Sequence, residues 1–331
     1  MREELFAELV ASVREGGAIL RGEVAPSQKE EKMTEPYNPV PFVIPEANTA
    51  HIRRKRFDLP YASISPAQKL DVYWPAKGDG PFPVIVSIHG GAFMGGDKRD
   101  VQITPVLEAL ERGYAVVGVN YRMSGEAKFP ALVHDVKAAI RWIRANAATY
   151  LLDPGSIAVW GGSAGAYLAL MAGVTAGVPE LEDLSLGNPE QSSAVQAVVA
   201  WFPPANFLLM DAQLAASGLI PGDEEDHSAV DSPESLLLGH KITEVPELVR
   251  IANPETYIRP GAPPLLIQHG LRDDTVPYQQ SVTFAATARA ILGDARVTLD
   301  LFPEARHGDP FFGAPENVAK VLDFLDGVLK P

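Results

Sequence analysis

The segment Trp160-Gly161-Gly162-Ser163-Ala164-Gly165 sets a serine between two glycines in G-x-S-x-G spacing. An apolar run precedes it and a small-residue helical pattern follows, which is the strand–turn–helix context this spacing requires. A serine on so tight a turn projects its hydroxyl above a sheet, and the neighbouring helix N-terminus favours negative charge developing there. Ser163 is therefore a candidate nucleophile. A second segment, His89-Gly90-Gly91-Ala92-Phe93, follows the apolar run ending at Ile88. Glycines after a strand let backbone N–H groups turn toward a ligand, so Gly91 and Ala92, with the N–H of Ala164, are candidates for an oxyanion hole. The spacing from Gly91 to Gly96 also fits a phosphate loop, but Asp97 stands where a lysine is needed and would repel phosphate. His89 is expected to be a structural hydrogen-bonding residue.

A serine nucleophile needs a base, and the base needs an orienting acid. After the run Leu265–Gln268 come Asp273 and Asp274. Adjacent side chains on a loop diverge, so one of the two faces the base. His307 follows the final predicted strand and precedes Gly308, on a loop that can reach Ser163. The order Ser, Asp, His along the chain is that of α/β-hydrolases. His51, His227 and His240 lie in polar or inserted segments and His134 on a helix, so none of them competes for the role.

The elements that must position these residues form a βα rhythm. Strands are predicted at Phe57–Leu59, Leu70–Trp74, Val84–Ile88, Ala115–Val119, Ile157–Trp160, Val195–Phe202, Leu265–Gln268 and Val297–Leu301. Helices are predicted at 101–112, 132–146, 163–176, 279–292 and 317–329 from apolar spacing. Alternation of this kind implies a mostly parallel sheet with helices on both faces. Residues 203–262 interrupt the rhythm, too long for a plain connection, and are expected to be a helical insertion capping the site. Residues 1–50 read as a helix followed by a proline-rich arm, and 51–331 as the catalytic domain. The stripe Leu5, Leu9, Val13 suggests that the arm shields the pocket or forms a homodimer. The cluster Arg53–Arg56 precedes a strand and reads as a solvated strand edge.

At these motifs the chain resembles the α/β-hydrolase fold, and within it the bacterial esterase group that includes acetyl xylan and feruloyl esterases. The matching segments are Ser65–Tyr73, His89–Phe93, Asn120-Tyr121-Arg122, Phe129-Pro130-Ala131 through Trp142, Gly161–Gly165, His269-Gly270 to Pro277, and His307-Gly308. They span about residues 57–331. In that pattern the acid is the third residue after the glycine of His-Gly, which implies Asp273, with Asp274 capping the turn or binding Arg272. The family roles fall on Ser163, Asp273 and His307, with Gly91, Ala92 and Ala164 near the oxyanion. Ala166 replaces the usual second glycine after the elbow. The His-Gly-Gly-Ala loop and the absence of an aspartate before Ser163 separate the chain from the hormone-sensitive-lipase-like branch.

Composition sets the outer limits. The chain has 331 residues, 46% hydrophobic and 21% charged, ample for a large core. It holds 28 basic and 42 acidic residues, net −14, which disfavours nucleic acid and anionic membranes as partners. With no cysteine, disulfides, thiolate nucleophiles, Cys-zinc sites and iron–sulfur clusters are excluded. The opening MREELFAELV has no secretory h-region, so a cytoplasmic protein is expected. The expected reaction is two-step acyl transfer on a small-molecule ester, with no metal or organic cofactor. Phe93, Trp201 and Phe202 are candidate substrate contacts because they border the motifs, whereas Tyr167 is expected in the core. A chain without an export signal would meet short or metabolic esters, not polymeric xylan. An amidase, formamidase, peptidase or lactonase on the same fold is the alternative, followed by a non-catalytic binding protein.

Overall fold

The computed structural model describes residues 44–219 and 226–330. Their frame is an eight-stranded sheet. Its strands are β1 (Lys55–Pro60), β2 (Lys69–Tyr73), β3 (Phe82–Ile88), β4 (Ala115–Val119), β5 (Leu152–Gly162), β6 (Ala197–Trp201), β7 (Leu265–Gly270) and β8 (Val297–Phe302). They lie in the order β1-β2-β4-β3-β5-β6-β7-β8. The pairs β1/β2 and β2/β4 are antiparallel and every other pair is parallel. β4, β6 and β7 are buried along their whole length, which is why they read as continuous apolar runs. The sheet is thus mostly parallel, as the rhythm of the sequence implies.

Helices cover the faces as their spacing dictates. α1 (Ala131–Ala145) buries Leu132, Val136, Ile140 and Ile143. α2 (Ala164–Val174) is buried on every side, consistent with its small, apolar composition. Between β6 and β7 lie α3 (Met210–Ser217), α4 (Pro233–Leu238) and α5 (Pro246–Ala252). α6 (Gln279–Leu292) and α7 (Pro315–Leu329) complete the layers. α7 packs Val318, Val321, Leu322 and Leu325 into a core with Ile85, Val116, Trp160 and Trp201. Among the described residues, no helix is long and apolar enough to cross a membrane.

Two elements differ from expectation. The helix predicted at 101–112 is three short pieces, Val101–Ile103, Thr104–Leu107 and Glu108–Arg112, with Pro105 at the start of the middle one. β5 begins at Leu152, not Ile157, because Leu152 pairs with Phe82 across a register shift that the Asp153-Pro154-Gly155 stretch conceals. The expected N-terminal helix and most of the arm lie outside the described residues. From Pro45 onward the chain joins the body: the Pro45 carbonyl accepts from Val101 N–H at 2.8 Å, and Ala47 N–H donates to Arg99 O at 2.7 Å. Lys55 and Arg56 sit on β1, the edge strand.

Candidate active site

In a parallel sheet the loops leaving the carboxyl ends of the strands converge on one edge. Here the loop after β3 carries Gly91 and Ala92, the turn after β5 carries Ser163, the loop after β7 carries Asp273, and the loop after β8 carries His307. β3 neighbours β5 and β7 neighbours β8, so strand order alone brings these loops together in pairs.

Ser163 occupies a backbone conformation with φ 54° and ψ −125°, which side chains rarely adopt. The surrounding structure holds it there. The Ser163 N–H donates to Trp201 O at 2.9 Å, and its carbonyl accepts from Ala166 N–H at 2.9 Å as α2 begins. Gly161 and Gly165 are required by close approach. A Cβ on Gly161 would overlap the Gly165 carbonyl, and one on Gly165 would overlap the Ile88 carbonyl. The elbow is therefore wedged against the end of β3, where the oxyanion loop starts.

His307 bridges the other two groups. Its Nδ1–H donates to Asp273 Oδ2 at 2.9 Å, and its Nε2 lies 3.0 Å from Ser163 Oγ. A carboxylate only accepts, so the ring hydrogen belongs on Nδ1 and the Nε2 lone pair faces the serine hydroxyl. The Asp273 side chain is fully buried and that of His307 is 21% exposed. Asp273 Oδ1 accepts from Thr275 N–H at 3.1 Å and Val276 N–H at 2.8 Å. Burial would raise the Asp273 carboxyl, but the electrostatic pull of the His307 ring, with hydrogen bonds from His269 and His307, holds it well below its ordinary value. Asp274 instead meets Arg306 at 3.4 Å at the surface, and Arg272 pairs with Glu304, not with Asp274.

The loop after β3 is strained along its length. Gly91 has φ 116°, Ala92 φ 53° and Phe93 φ 62°. The loop starts beside the elbow, where a Cβ on Gly90 would meet the Gly162 carbonyl, and the Ala164 N–H opens α2. Neither the Ala92 N–H nor the Ala164 N–H meets an acceptor among the described residues. His89 is buried, stacks on Tyr121 at 4.6 Å and donates from Nδ1 to Gly90 O at 2.8 Å, as a structural residue would.

The aromatic candidates separate. The Phe202 ring lies edge-on to the His307 ring at 4.7 Å. Phe93 is buried between Tyr167 at 5.3 Å and Phe207 at 6.2 Å. Trp201 is not brought to the site: its indole packs on Trp160 at 5.0 Å and Phe312 at 5.7 Å in the core. The physical reason is that Trp201 still belongs to β6, whereas Phe202 leaves the strand with φ 41° and turns its ring toward the histidine. Tyr167 is buried, and its hydroxyl donates to Ala252 O at 2.7 Å.

Sequence reasoning missed His269. It is fully buried on β7, its Nε2–H shared between Asp273 Oδ2 at 3.1 Å and Val276 O at 2.8 Å. Its Nδ1 lies 2.6 Å from the Ser281 hydroxyl. The only available signal was its place at the end of a strand four residues before the acid. Among the described residues, no group of histidines and acids is arranged to hold a metal ion.

A family model described as BD-FAE matches residues 70–287. Esterase LipQ of Mycobacterium tuberculosis is 32% identical over 253 residues, which are 76% of this chain and 56% of LipQ. Esterase LipC of the same organism is 32% identical over 303 residues, 88% of this chain and 68% of LipC. Among solved structures, a truncated carbohydrate esterase from gut microbiota is 30% identical with a TM-score of 0.74, covering 86% of this chain and 99% of that one. A bifunctional GH43-CE protein of Bacteroides eggerthii is 34% identical with a TM-score of 0.72, covering 82% of this chain and 35% of that one. The chain thus spans little more than half of LipQ and about a third of the bifunctional protein.

Proposed function

Because this chain belongs to the BD-FAE family, on an α/β-hydrolase fold, we propose that it is a serine carboxylesterase acting through Ser163, His307 and Asp273. The observation that carries the reading is the position of His307, 3.0 Å from the Ser163 hydroxyl and 2.9 Å from the Asp273 carboxylate. The esterase names of LipQ and LipC support the reaction class.

The geometry supplies each step. His307 Nε2 takes the Ser163 proton as Oγ attacks the ester carbonyl, and the imidazolium is stabilised by the Asp273 carboxylate. The backbone N–H groups of Ala92 and Ala164 receive the oxyanion; one such donor is worth about 3 kcal/mol of barrier. Collapse of the tetrahedral species breaks the ester C–O bond, and His307 returns its proton to the departing alkoxide. Water then attacks the acyl-enzyme by the same route, giving the carboxylic acid and free Ser163.

For substrate class we favour short acyl or aryl esters of the acetyl and feruloyl type. The Phe202 ring beside His307 offers a flat apolar wall for a small acyl or aromatic group. The carbohydrate esterase among the similar structures supports an ester borne on a sugar. Residues 203–262 are proposed as the cap over the site.

The test is a hydrolysis panel run on the wild-type protein and Ser163→Ala side by side. It contains p-nitrophenyl acetate, butyrate and octanoate, methyl ferulate, an acetylated xylo-oligosaccharide and an aryl amide. Ester turnover that vanishes in Ser163→Ala is expected. Turnover of the amide alone would transfer the reading to an amidase, and equal turnover by both proteins would overturn the triad.

A further inference from the structure

His227 lies in the segment between β6 and β7 and follows the acidic stretch Asp223-Glu-Glu-Asp226. Nothing in its sequence neighbourhood names a partner. In the structure its ring joins two elements. Nδ1 lies 3.2 Å from Glu234 Oε2 on α4, and Nε2 lies 2.9 Å from the Thr275 carbonyl oxygen on the loop after β7. The two side chains of the pair are 6% and 4% exposed.

A neutral imidazole carries one N–H, and both ring nitrogens here face acceptors. Only the imidazolium can donate to both. The backbone at this point is also fixed, since His227 N–H donates to Asp211 Oδ1 at 2.8 Å and the Ser228 hydroxyl donates to Asp211 Oδ2.

The far end of the contact is the acid loop. The carbonyl that His227 grips belongs to Thr275, whose own N–H donates to Asp273 Oδ1. The next residue, Val276, donates its N–H to the same oxygen and gives its carbonyl to His269. The turn 273–276 is therefore held by His269 on the side of β7 and by His227 on the side of the inserted segment.

We propose that His227, as an imidazolium, is the positioning residue through which the segment between β6 and β7 fixes the acid of the triad, and that this tie releases when the ring loses its proton. The proposal rests on the triad reading above.

The charged groups acting on the ring are Glu234 from α4 and Asp211 from α3, and the β7 loop adds the Thr275 carbonyl dipole. Burial alone would lower the imidazole, but the Glu234 carboxylate, the Thr275 carbonyl and Asp211 outweigh it and raise it to about 9. The folded value lies above the ordinary 6.5. The contribution of the tie is thus complete below about pH 6.5 and is lost as pH rises through about 9.

The experiment follows kcat and KM for p-nitrophenyl acetate from about pH 6 to 10 in wild type, His227→Gln and Glu234→Gln. Active sites are counted by the p-nitrophenol burst, so that misfolded protein does not enter kcat. Histidine 15N resonances of the wild type are followed over the same range, with His227 assigned by its loss in His227→Gln. Wild-type kcat is expected to fall about fivefold or more toward the alkaline end as the His227 resonance titrates. His227→Gln should lose about tenfold in kcat at neutral pH with KM within about twofold, and its profile should lack that alkaline fall. Glu234→Gln should move the fall down by about one pH unit. A purely structural role would lower the number of active sites and leave kcat per site and its pH profile unchanged; that result overturns the proposal. So does a His227 ring that is neutral at pH 7. Should His227→Gln not fold, the kcat profiles of wild type and Glu234→Gln decide: an alkaline fall that Glu234→Gln does not move overturns the proposal. Absence of any ester turnover in wild type, with a His227 that still titrates near pH 9, would mark failure of the triad reading and not of the His227–Glu234 pair.

Discussion

Two of the charge clusters buried among the described residues end differently. On α1, the buried Lys137 and Arg141 both reach Glu182, at 3.0 and 2.7 Å. Lys137 Nζ also donates to Thr175 O at 2.8 Å, and Arg141 spends its other N–H groups on the Gly187 and Asp183 carbonyls. Every nitrogen of the two cations finds an acceptor, and both side chains are fully buried. At the carboxyl edge of the sheet, Asp273 is as deeply buried and as fully bonded, but its chain of hydrogen bonds runs outward. It ends on His307, partly exposed, and on a serine hydroxyl. A closed network fixes loops. An open one leaves a single reactive atom with its proton already aimed at an acceptor. Burial and charge alone do not distinguish a catalytic cluster from a structural one; the free end does.

Variants can break that comparison at either cluster. The largest effect is expected for Ser163→Ala, which should lose about 10⁴-fold or more in kcat while denaturant unfolding shows stability near wild type. Asp273→Asn should follow, at about 10⁴-fold, because an amide can present a donor to His307 and favour the wrong tautomer. At the closed cluster the order of effects reverses. Glu182→Ala leaves Lys137 and Arg141 without their carboxylate and should cost about 3 kcal/mol or more in urea unfolding, with kcat per active site within about twofold. A fall in kcat per site as large as that of Asp273→Asn would erase the distinction. The smallest effect belongs to Arg306→Ala. Its pair with Asp274 is long and exposed, so stability should change by about 0.5 kcal/mol or less.

The contrast also marks what a sequence can carry. The buried parallel strands were legible because three or more apolar residues in a row admit few other readings, and Ala115–Val119 and Gln279–Leu292 fall where their patterns put them. The candidate positions Ser163 and His307 were legible because a strand end followed by a glycine-bearing loop limits where a side chain can go, whereas Asp273 was separated from Asp274 only by the family pattern. The break in the helix at 101–112 was visible only as Pro105, which a helix accepts in its first turn. Trp201 and Phe202 are adjacent, aromatic and both packed on Phe312 in the core, yet only Phe202 also reaches the histidine. The left-handed backbone at Phe202 decides this, and a phenylalanine gives no sign of it. His227 and Thr275 are 48 positions apart in the chain, and nothing local pairs them.

The Ser163–His307 hydrogen bond joins residues 144 positions apart. Synthesis runs from the N-terminus at about 5–20 residues per second, so serine and histidine leave the ribosome about 7 to 30 s apart. β3, β5 and β6, which frame the elbow, are all translated within that interval or before it. The nucleophile can thus be housed while its base does not yet exist. On the proposed mechanism a newborn chain carries a mute serine until the last strand and the loop behind it arrive.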